Sequence, residues 1–556
     1  MGVSQALTGP ISLLPTVMRA ATLSSLIICS LIPTTTLALS ANDWRSKSIY
    51  QVMTDRFALP NDNGTQCDTA QRKYCGGSWQ GIINHLDYIQ NMGFDAVWIS
   101  PVAANLEGST TDGEAFHGYW TKDMTNINPH FGSTDDLHAL SKALHKRGMY
   151  LMFDVVLNHM AAPTLKDFDF SNFFHPFSDE SYFHKQCWVN DSSDQTTIEQ
   201  CWLGDESLPL PDLNTDNSTV ADTLKKMVTD LVAEYEVDGL RLDTVKHISK
   251  DFWKDFRDNV DVFMMGEILT NETSYATSYT DVMDAILDYP SWFPLIQAFA
   301  STNGQMSLLA NTMTAAQQNY KNGLFGTGSF IENHDQPRFQ SFTKDDALIH
   351  NVMTFPFVHD GMPIVYYGQE QGYQGGSDPY NREALWLSAY DTEKPLVGLF
   401  KTLNAARKQA MGAADNDFSN TAMKFIGVED HTFAVSKPPM LGLFTNIGSQ
   451  SSETAVWKIE DTGYKPNEDL VDVLTCSKIS ADSAGAVYSE SYYGMPQIIM
   501  PISVLDKGGN ICPELATGTR AQTSDVGGYR RGQLALSTAF FGASVMFFAA
   551  GMMMLV

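Results

Sequence analysis

The chain is predicted to fold as an α/β protein: a (β/α)₈ barrel, interrupted by an inserted domain after its third strand and followed by an antiparallel β-sandwich domain. Three observations lead there. From about residue 44 to 416, short apolar runs alternate with amphipathic helical patterns over a length that suits a barrel with insertions. The longest break in this alternation, 159–214, follows the third run and is rich in Phe, Asp and Pro. Beyond residue 417 the helical period gives way to short alternating segments bounded by turn residues.

The candidate barrel strands are 48–53, 96–100, 149–156, 239–242, 262–266, 285–287, 328–331 and 363–367. They are apolar runs without strict alternation, as expected of parallel strands covered on both faces. Between them, 135–147 and 221–235 repeat apolar residues at helical spacing. In the C-terminal part, 431–436, 441–446, 454–459 and 470–475 read as strands. The expected division is a catalytic barrel over 41–416, an insertion over 159–214 within it, and a β domain over 417–513.

Composition narrows the function. The chain has 556 residues, 43% apolar and 11% aromatic, which excludes disorder and repetitive fibres. Its 36 Lys and Arg face 64 Asp and Glu, a formal charge of −28. So acidic a surface repels phosphate backbones, so no nucleic-acid partner is expected, while neutral polymers such as polysaccharides suit it. A monomer is expected.

Both ends read as processing signals. Residues 1–40 lack acidic residues, carry Arg19 and run apolar from 20 to 33 before Ala38-Leu39-Ser40, a secretory leader. Residues 534–556 carry no charge, and a polar spacer, 514–533, with Arg530-Arg531 precedes them. That order of small residues, spacer and apolar tail is the signal for a glycosylphosphatidylinositol (GPI) anchor. A true spanning helix is the alternative, since 23 apolar residues can cross a bilayer, but such a helix usually has basic residues after it. The expected location is outside the cell, attached by the lipid to the plasma membrane or cell wall.

Secretion agrees with the cysteines. Cys29 lies in the leader, leaving Cys67, Cys75, Cys187, Cys201, Cys476 and Cys512. Spacing suggests pairs 67–75, 187–201 and 476–512, among fifteen possible connectivities. None forms a CxxC, which argues against zinc. Asn63, Asn190, Asn217 and Asn271 head Asn-x-Ser/Thr sequons and are the expected glycosylation sites.

Polar residues fall at strand ends. Asp154 and His159 follow or close the third run, Asp243 the fourth, Glu267 the fifth, and His334-Asp335 the seventh. The C-terminal strand ends of a barrel converge on one mouth, so these groups are expected to share a cleft. One such acid alone usually caps a helix or pairs with a cation; four acids and two histidines on one rim do not fit that reading. Clustered carboxylates force their pKa values apart, separating an ionised nucleophile from a protonated acid.

Asp154-Val-Val-Leu-Asn158-His159, Gly239-Leu-Arg241-Leu-Asp243-Thr-Val-Lys246-His247, Gly266-Glu267-Ile-Leu and Ile331-Glu-Asn-His334-Asp335 resemble, in order, the four signature regions of the α-amylase family, glycoside hydrolase family 13. Asp43 to Tyr50, Cys75 to Gln80, His117-Gly-Tyr119-Trp120 and Asn381-Arg382-Glu383 extend the resemblance to secreted fungal α-amylases over about 43–513. With the anchor signal, it reaches the GPI-anchored fungal α-amylase-like proteins, some of which act as 4-α-glucanotransferases.

The resemblance implies a retaining enzyme on α-1,4-glucan. Asp243 would be the nucleophile, Glu267 the general acid and then base, and Asp335 the carboxylate that binds sugar hydroxyls more tightly in the oxocarbenium-like state. Arg241, two residues before Asp243 on the same strand face, would bond to it. His117, His159 and His334 would hydrogen-bond the same sugar, Tyr119 would stack on it, and Trp120 would line the site. Asp378 and Arg382 would lie on the non-reducing side, Lys246 and His247 on the acceptor side. A structural Ca²⁺ is implied, with Asn158, Glu199, Asp212 and the His247 carbonyl as its oxygen ligands.

Departures from the family pattern lie around the expected cleft or in the barrel scaffold, not among the three acids. Gln336 stands where fungal amylases generally carry Asn, and the stretches after Leu269 and Gly372 also diverge. They bear on substrate and on whether water or a sugar accepts the glycosyl unit. Cleavage with transfer is expected, plain hydrolysis being the alternative. A glucan-binding protein with a degenerate site would have no need to retain both an acid and a nucleophile.

Overall fold

The computed structural model describes residues 39–516, apart from 62, 167, 414–416 and 506–510. The expected leader up to residue 38 and most of the spacer and tail, from 517 on, lie outside the described residues. Among the described residues, no helix is long and apolar enough to cross a membrane.

Eight parallel strands close a barrel: β1 (Ile49–Gln51), β2 (Ala96–Ile99), β3 (Tyr150–Val155), β4 (Gly239–Leu242), β5 (Phe263–Gly266), β6 (Ala285–Leu287), β7 (Thr327–Phe330) and β8 (Met362–Tyr366). Each pairs with its sequence neighbour, and β1 closes on both β2 and β8. All eight apolar runs are therefore barrel strands, and β2, β4, β5 and β8 are buried at every position. Gly328 is demanded by the interior, because a Cβ there would sit 2.6 Å from Ile364 and 2.8 Å from the Met265 sulfur.

The helices show why their sequences stop and start where they do. Thr134–Lys146 opens on a capping box between Ser133 and Asp136 and buries Leu137, Leu140 and Leu144 on one face. Ser218–Tyr235 starts three residues before the apolar period, because Asn217 caps it through its side chain and fixes the first turn.

Between β3 and β4 the chain forms short helices at Phe170–Phe173 and Gln195–Gln200 and a small hairpin of Leu203–Gly204 with Pro209–Leu210. The disulfides are Cys67–Cys75, Cys187–Cys201 and Cys476–Cys512, the pairing that spacing suggested. Of the sequon residues, Asn63, Asn190 and Asn271 are exposed, while the helix cap Asn217 is half-buried.

The C-terminal part contains β9 (Lys424–Ile426), β10 (Thr432–Lys437), β11 (Met440–Thr445), β12 (Ala455–Ile459), β13 (Asp469–Asp472), β14 (Ser477–Ser480), β15 (Val487–Ser491) and β16 (Gln497–Pro501). One antiparallel sheet has the order β9-β10-β11-β16-β13-β14, and β12 pairs with β15 in a second. Strand alternation sorts the side chains between two cores. Phe433, Val435 and Phe444 join the barrel core, where Phe355 lies 5.4 Å from Phe444. Ala434, Leu441 and Leu443 pack with Trp457, Ile459 and Val487 between the two sheets. Strands β9, β14, β15 and β16 were not anticipated: β14 and β15 carry polar and exposed residues and give no apolar run to detect.

Candidate active site

The register of β3 and β4 sets Asp154 opposite Arg241. Adjacent positions on neighbouring parallel strands point the same way, so both side chains enter the barrel mouth. Arg241 Nη1 lies 2.8 Å from Asp154 Oδ1 and 2.8 Å from Asp243 Oδ1, and its Nη2 lies 2.8 Å from Glu267 Oε2. The guanidinium is 1% exposed. One planar cation thus holds three carboxylates from three consecutive strands in a single arrangement.

Each acid has its own further partners. Asp154 accepts from Trp98 Nε1 at 3.0 Å and Tyr119 Oη at 2.7 Å. Asp243 accepts from Thr244 Oγ1 at 3.0 Å, and the Thr244 backbone N–H donates to Glu267 Oε2 at 3.1 Å. Thr244 does this from the left-handed region, at φ 48°, a costly conformation for a β-branched residue. Burial raises Asp154 to about 6 against the pull of Arg241. Burial likewise raises Glu267 to about 7, with Asp243 and Asp335 adding to the rise and Arg241 opposing it.

A second group comes from the loops after β7 and β8. Gln51 Nε2 donates to His334 Nδ1 at 2.9 Å, so Nε2 carries the proton, 3.1 Å from Asp335 Oδ2. Arg382 reaches Asp335 at 3.6 Å, Asp378 at 2.8 Å and the His334 carbonyl at 3.0 Å. Asp378 is also held by Arg72 at 3.0 Å, and Asn381 Nδ2 donates to the carbonyls of His334 and Gln336 at 2.9 Å each. Burial raises Asp335, although its side chain stays 30% exposed at the open end of the cluster.

Tyr119 joins the two groups. Its ring lies parallel to that of His334 at 5.0 Å, and His117 follows at 5.7 Å, with Trp120 edge-on to His117. Burial holds His117 and His334 well below the ordinary histidine range, with the Arg382 cation adding to it, so both are neutral. His159 donates from Nε2 to the Tyr119 carbonyl at 3.3 Å. Lys246 and His247 lie apart: Lys246 donates to the Leu269 carbonyl at 3.1 Å, and His247 Nδ1 to that of Ile198 at 3.0 Å.

The residues expected to hold calcium differ among themselves. Asn158 Oδ1 and Asp212 Oδ1 are buried with no hydrogen-bond partner. Burial raises Asp212 to about 7 even with His184 Nδ1 2.5 Å from its other oxygen. Two unpartnered buried oxygens, one on a carboxylate, are a donor set that suits a hard cation. The Glu199 carboxylate accepts from Gln195 Nε2 at 2.6 Å, and the helix carrying it is tied to the Val245–His247 turn through Gln195 and the Lys246 carbonyl at 3.2 Å. Among the described residues, the grouping of three His, Cys, Asp or Glu ligand atoms close enough to hold an ion is Cys476, Cys512 and Glu514, and its two cysteines form a disulfide.

Trp98, Thr244, Gln51 and Arg72 serve the site without having been singled out, and Asn381, quoted only within a motif, joins them. Trp98 and Gln51 sit in the second and first barrel strands and are distinguishable from core residues only by their polar atoms. Thr244 carries no sequence signal, since its role rests on a backbone conformation.

Two family models match the chain. "Alpha amylase, catalytic domain" matches residues 51–434 and "Alpha-amylase, domain C" matches 426–520. The chain is 42% identical over 464 residues to an alpha-amylase of Saccharomycopsis fibuligera, covering 83% of this chain and 92% of that one. It is 36% identical to alpha-amylase mde5 of Schizosaccharomyces pombe, covering 86% and 91%. Among solved structures, an alpha-amylase from Malbranchea cinnamomea superposes with a TM-score of 0.82 at 41% identity, covering 85% of this chain and all of that one.

Proposed function

The chain belongs to the α-amylase family of glycoside hydrolases, and from that membership we propose a retaining cleavage of α-1,4-glucan in which Asp243 is the nucleophile and Glu267 the acid and base. The observation that carries this is the Arg241 fork, with one nitrogen on each of the two carboxylates at 2.8 Å and Glu267 raised to about 7. Near neutral pH a raised Glu267 retains its proton, while Asp243 accepts bonds from Arg241 and Thr244 that suit a carboxylate.

The steps follow. Asp243 attacks the anomeric carbon as Glu267 gives its proton to the departing glycosidic oxygen, and a glycosyl ester forms on Asp243. Glu267, now ionised, takes the proton of an acceptor hydroxyl, which displaces Asp243 and restores the starting configuration. Asp335 and His334 hold hydroxyls of the reacting sugar, with Tyr119 stacked beneath it. Asp378 and Arg382 continue the donor side.

Asn158, Asp212, Glu199 and the His247 carbonyl would hold Ca²⁺, whose contribution is structural: it would tie the insertion to the barrel. The tail and leader compositions support secretion and lipid attachment at the cell surface.

For the acceptor we infer a sugar hydroxyl. The divergent stretch after Glu267 presents the Leu269 carbonyl to Lys246, on the expected acceptor side. A well-oriented bound hydroxyl reaches effective molarities of about 10⁵ M, enough to outcompete water. Product analysis on maltopentaose tests this: transfer yields chains longer and shorter than five units with little gain in reducing ends. Reducing ends rising in step with substrate loss, with no longer product, would make the enzyme a plain hydrolase.

A further inference from the structure

The C-terminal domain presents three tyrosines to solvent at one place: Tyr488 on β15 and Tyr492 and Tyr493 in the turn that follows it, 59%, 64% and 73% exposed. No other aromatic side chains among the described residues are so exposed. They are not loose. Tyr488 and Tyr492 both donate their hydroxyls to the Glu490 carboxylate, Tyr492 at 2.6 Å, so one acid pins two rings. The turn is anchored from below, because the buried Asn351 donates to the Gly494 carbonyl at 2.7 Å and Gln497 Nε2 to that of Glu490 at 3.0 Å. Val456 on β12, cross-strand partner of Glu490, is 46% exposed and extends the same face.

We propose that Tyr488, Tyr492 and Tyr493 form a second binding place for α-glucan, outside the cleft. The proposal rests on the reading of the enzyme as α-glucan-active. Exposed aromatic rings cost free energy in water, and fixing their orientation costs more, so a held cluster suits a ligand with flat apolar faces. Pyranose rings offer such faces of C–H groups, and their hydroxyls can donate to the half-buried Glu490 carboxylate between the tyrosines.

Charge and area select among occupants. The chain's −28 charge and the carboxylate at the centre of the cluster oppose anionic polymers and anionic lipid. At about 200 Å² per ring side chain, the three exposed fractions amount to roughly 400 Å², half the ~800 Å² per partner that a stable protein interface requires. A short stretch of a neutral oligosaccharide matches that size. None of the three tyrosines contacts a residue of the carboxylate site, so the two places are separable by mutation.

The test is retention of the secreted protein on amylopectin-containing gels, with laminarin gels as the β-linked control. The triple substitution Y488A/Y492A/Y493A should weaken retention on amylopectin about tenfold and leave kcat/KM on maltopentaose within about twofold. Y488F/Y492F, which keeps the rings, should retain binding within about threefold and guards against misfolding of the alanine variant. Undiminished retention of the triple alanine variant overturns the proposal, as does a loss shared equally by maltopentaose turnover. Wild type that is retained on laminarin but not on amylopectin, yet consumes maltopentaose, overturns this surface alone. Wild type inert on maltopentaose refutes the catalytic reading instead.

Discussion

Arg241 and Lys437 are both fully buried cations, and the protein holds them in opposite ways. Arg241 faces Asp154, Asp243 and Glu267, each at 2.8 Å. Lys437 faces Asp360 alone, at 2.6 Å, and also donates to the Thr421 carbonyl at 2.8 Å. Asp360 accepts in addition from Met423 N and Gln317 Nε2, and the neighbouring Arg407 gives its donors to the carbonyls of Phe357, His359 and Gly361. Lys437 and Asp360 balance one to one where the barrel meets the C-terminal domain, and the Arg407 charge beside them is met by carbonyls alone. Around Arg241 three acids share one cation, so negative charge is left over in a site of low dielectric. Burial there raises Glu267 to about 7, with Arg241 opposing the rise and the Asp243 and Asp335 carboxylates adding to it. A balanced cluster fastens the fold; an unbalanced one is prepared for proton transfer.

This contrast is testable from both sides. Asp243→Asn should lower kcat on maltopentaose by at least ~10⁴-fold, with the protein folded by circular dichroism. Glu267→Gln should be comparably severe, but should recover part of its first step on a substrate whose leaving group needs no proton. An Asp243→Asn enzyme within tenfold of wild type would remove the nucleophile assignment.

At the balanced cluster, Lys437→Met strands the Asp360 charge and should cost about 3–5 kcal/mol in denaturant unfolding. Activity of the folded fraction should stay within about twofold. Adding Asp360→Leu should restore most of the loss, since an apolar pair replaces a buried ion pair at little cost. A Lys437→Met protein that unfolds normally would show that this pair contributes no more than a surface one.

Calcium tests a second buried place where polar groups are not closed, at Asn158 and Asp212. Saturating Ca²⁺ at 100 times its Kd should stabilise the protein by about 2.7 kcal/mol, so excess chelator should lower Tm by several degrees. Asp212→Asn should abolish that difference. Equal melting with and without chelator would count against an exchangeable ion.

The smallest effect is the pH profile. Glu267 must carry its proton to act as acid, so kcat/KM should fall about tenfold per pH unit above about 7. The sign for stability follows: with a native pKa near 7 against 4.5 unfolded, the folded state binds the extra proton between those values. Stability from this group is therefore present below pH 4.5 and is lost as pH rises toward 7. An alkaline limb well below pH 6 would mean that the Arg241 charge outweighs burial at Glu267.

Much of the barrel was legible because each strand is buried on both faces and reads as an apolar run, as at 96–99 and 362–366. Strand β15 was not, because Tyr488 and Glu490 face water and its inward residues are Val487, Ser489 and Ser491. In the site, Asp154, Asp243, Glu267 and Asp335 announced themselves by charge at strand ends, and Arg241 through the family resemblance. Thr244 did not, since a left-handed threonine leaves no trace in composition or period. Nor did Gln51, which lies in β1 and acts through a hydrogen bond to a histidine 283 residues away.

Local pattern thus settled which segments become the barrel strands and which residue types reach the barrel mouth, because apolar period and covalent order are properties of the chain alone. The pairing that makes those residues a site came from closure of the barrel. Only when β3, β4 and β5 lie side by side does Arg241 meet three acids at once, and only then does burial raise Asp154 and Glu267. Distances across strands and the dielectric between them depend on residues far apart in sequence, and no window along the chain contains both partners.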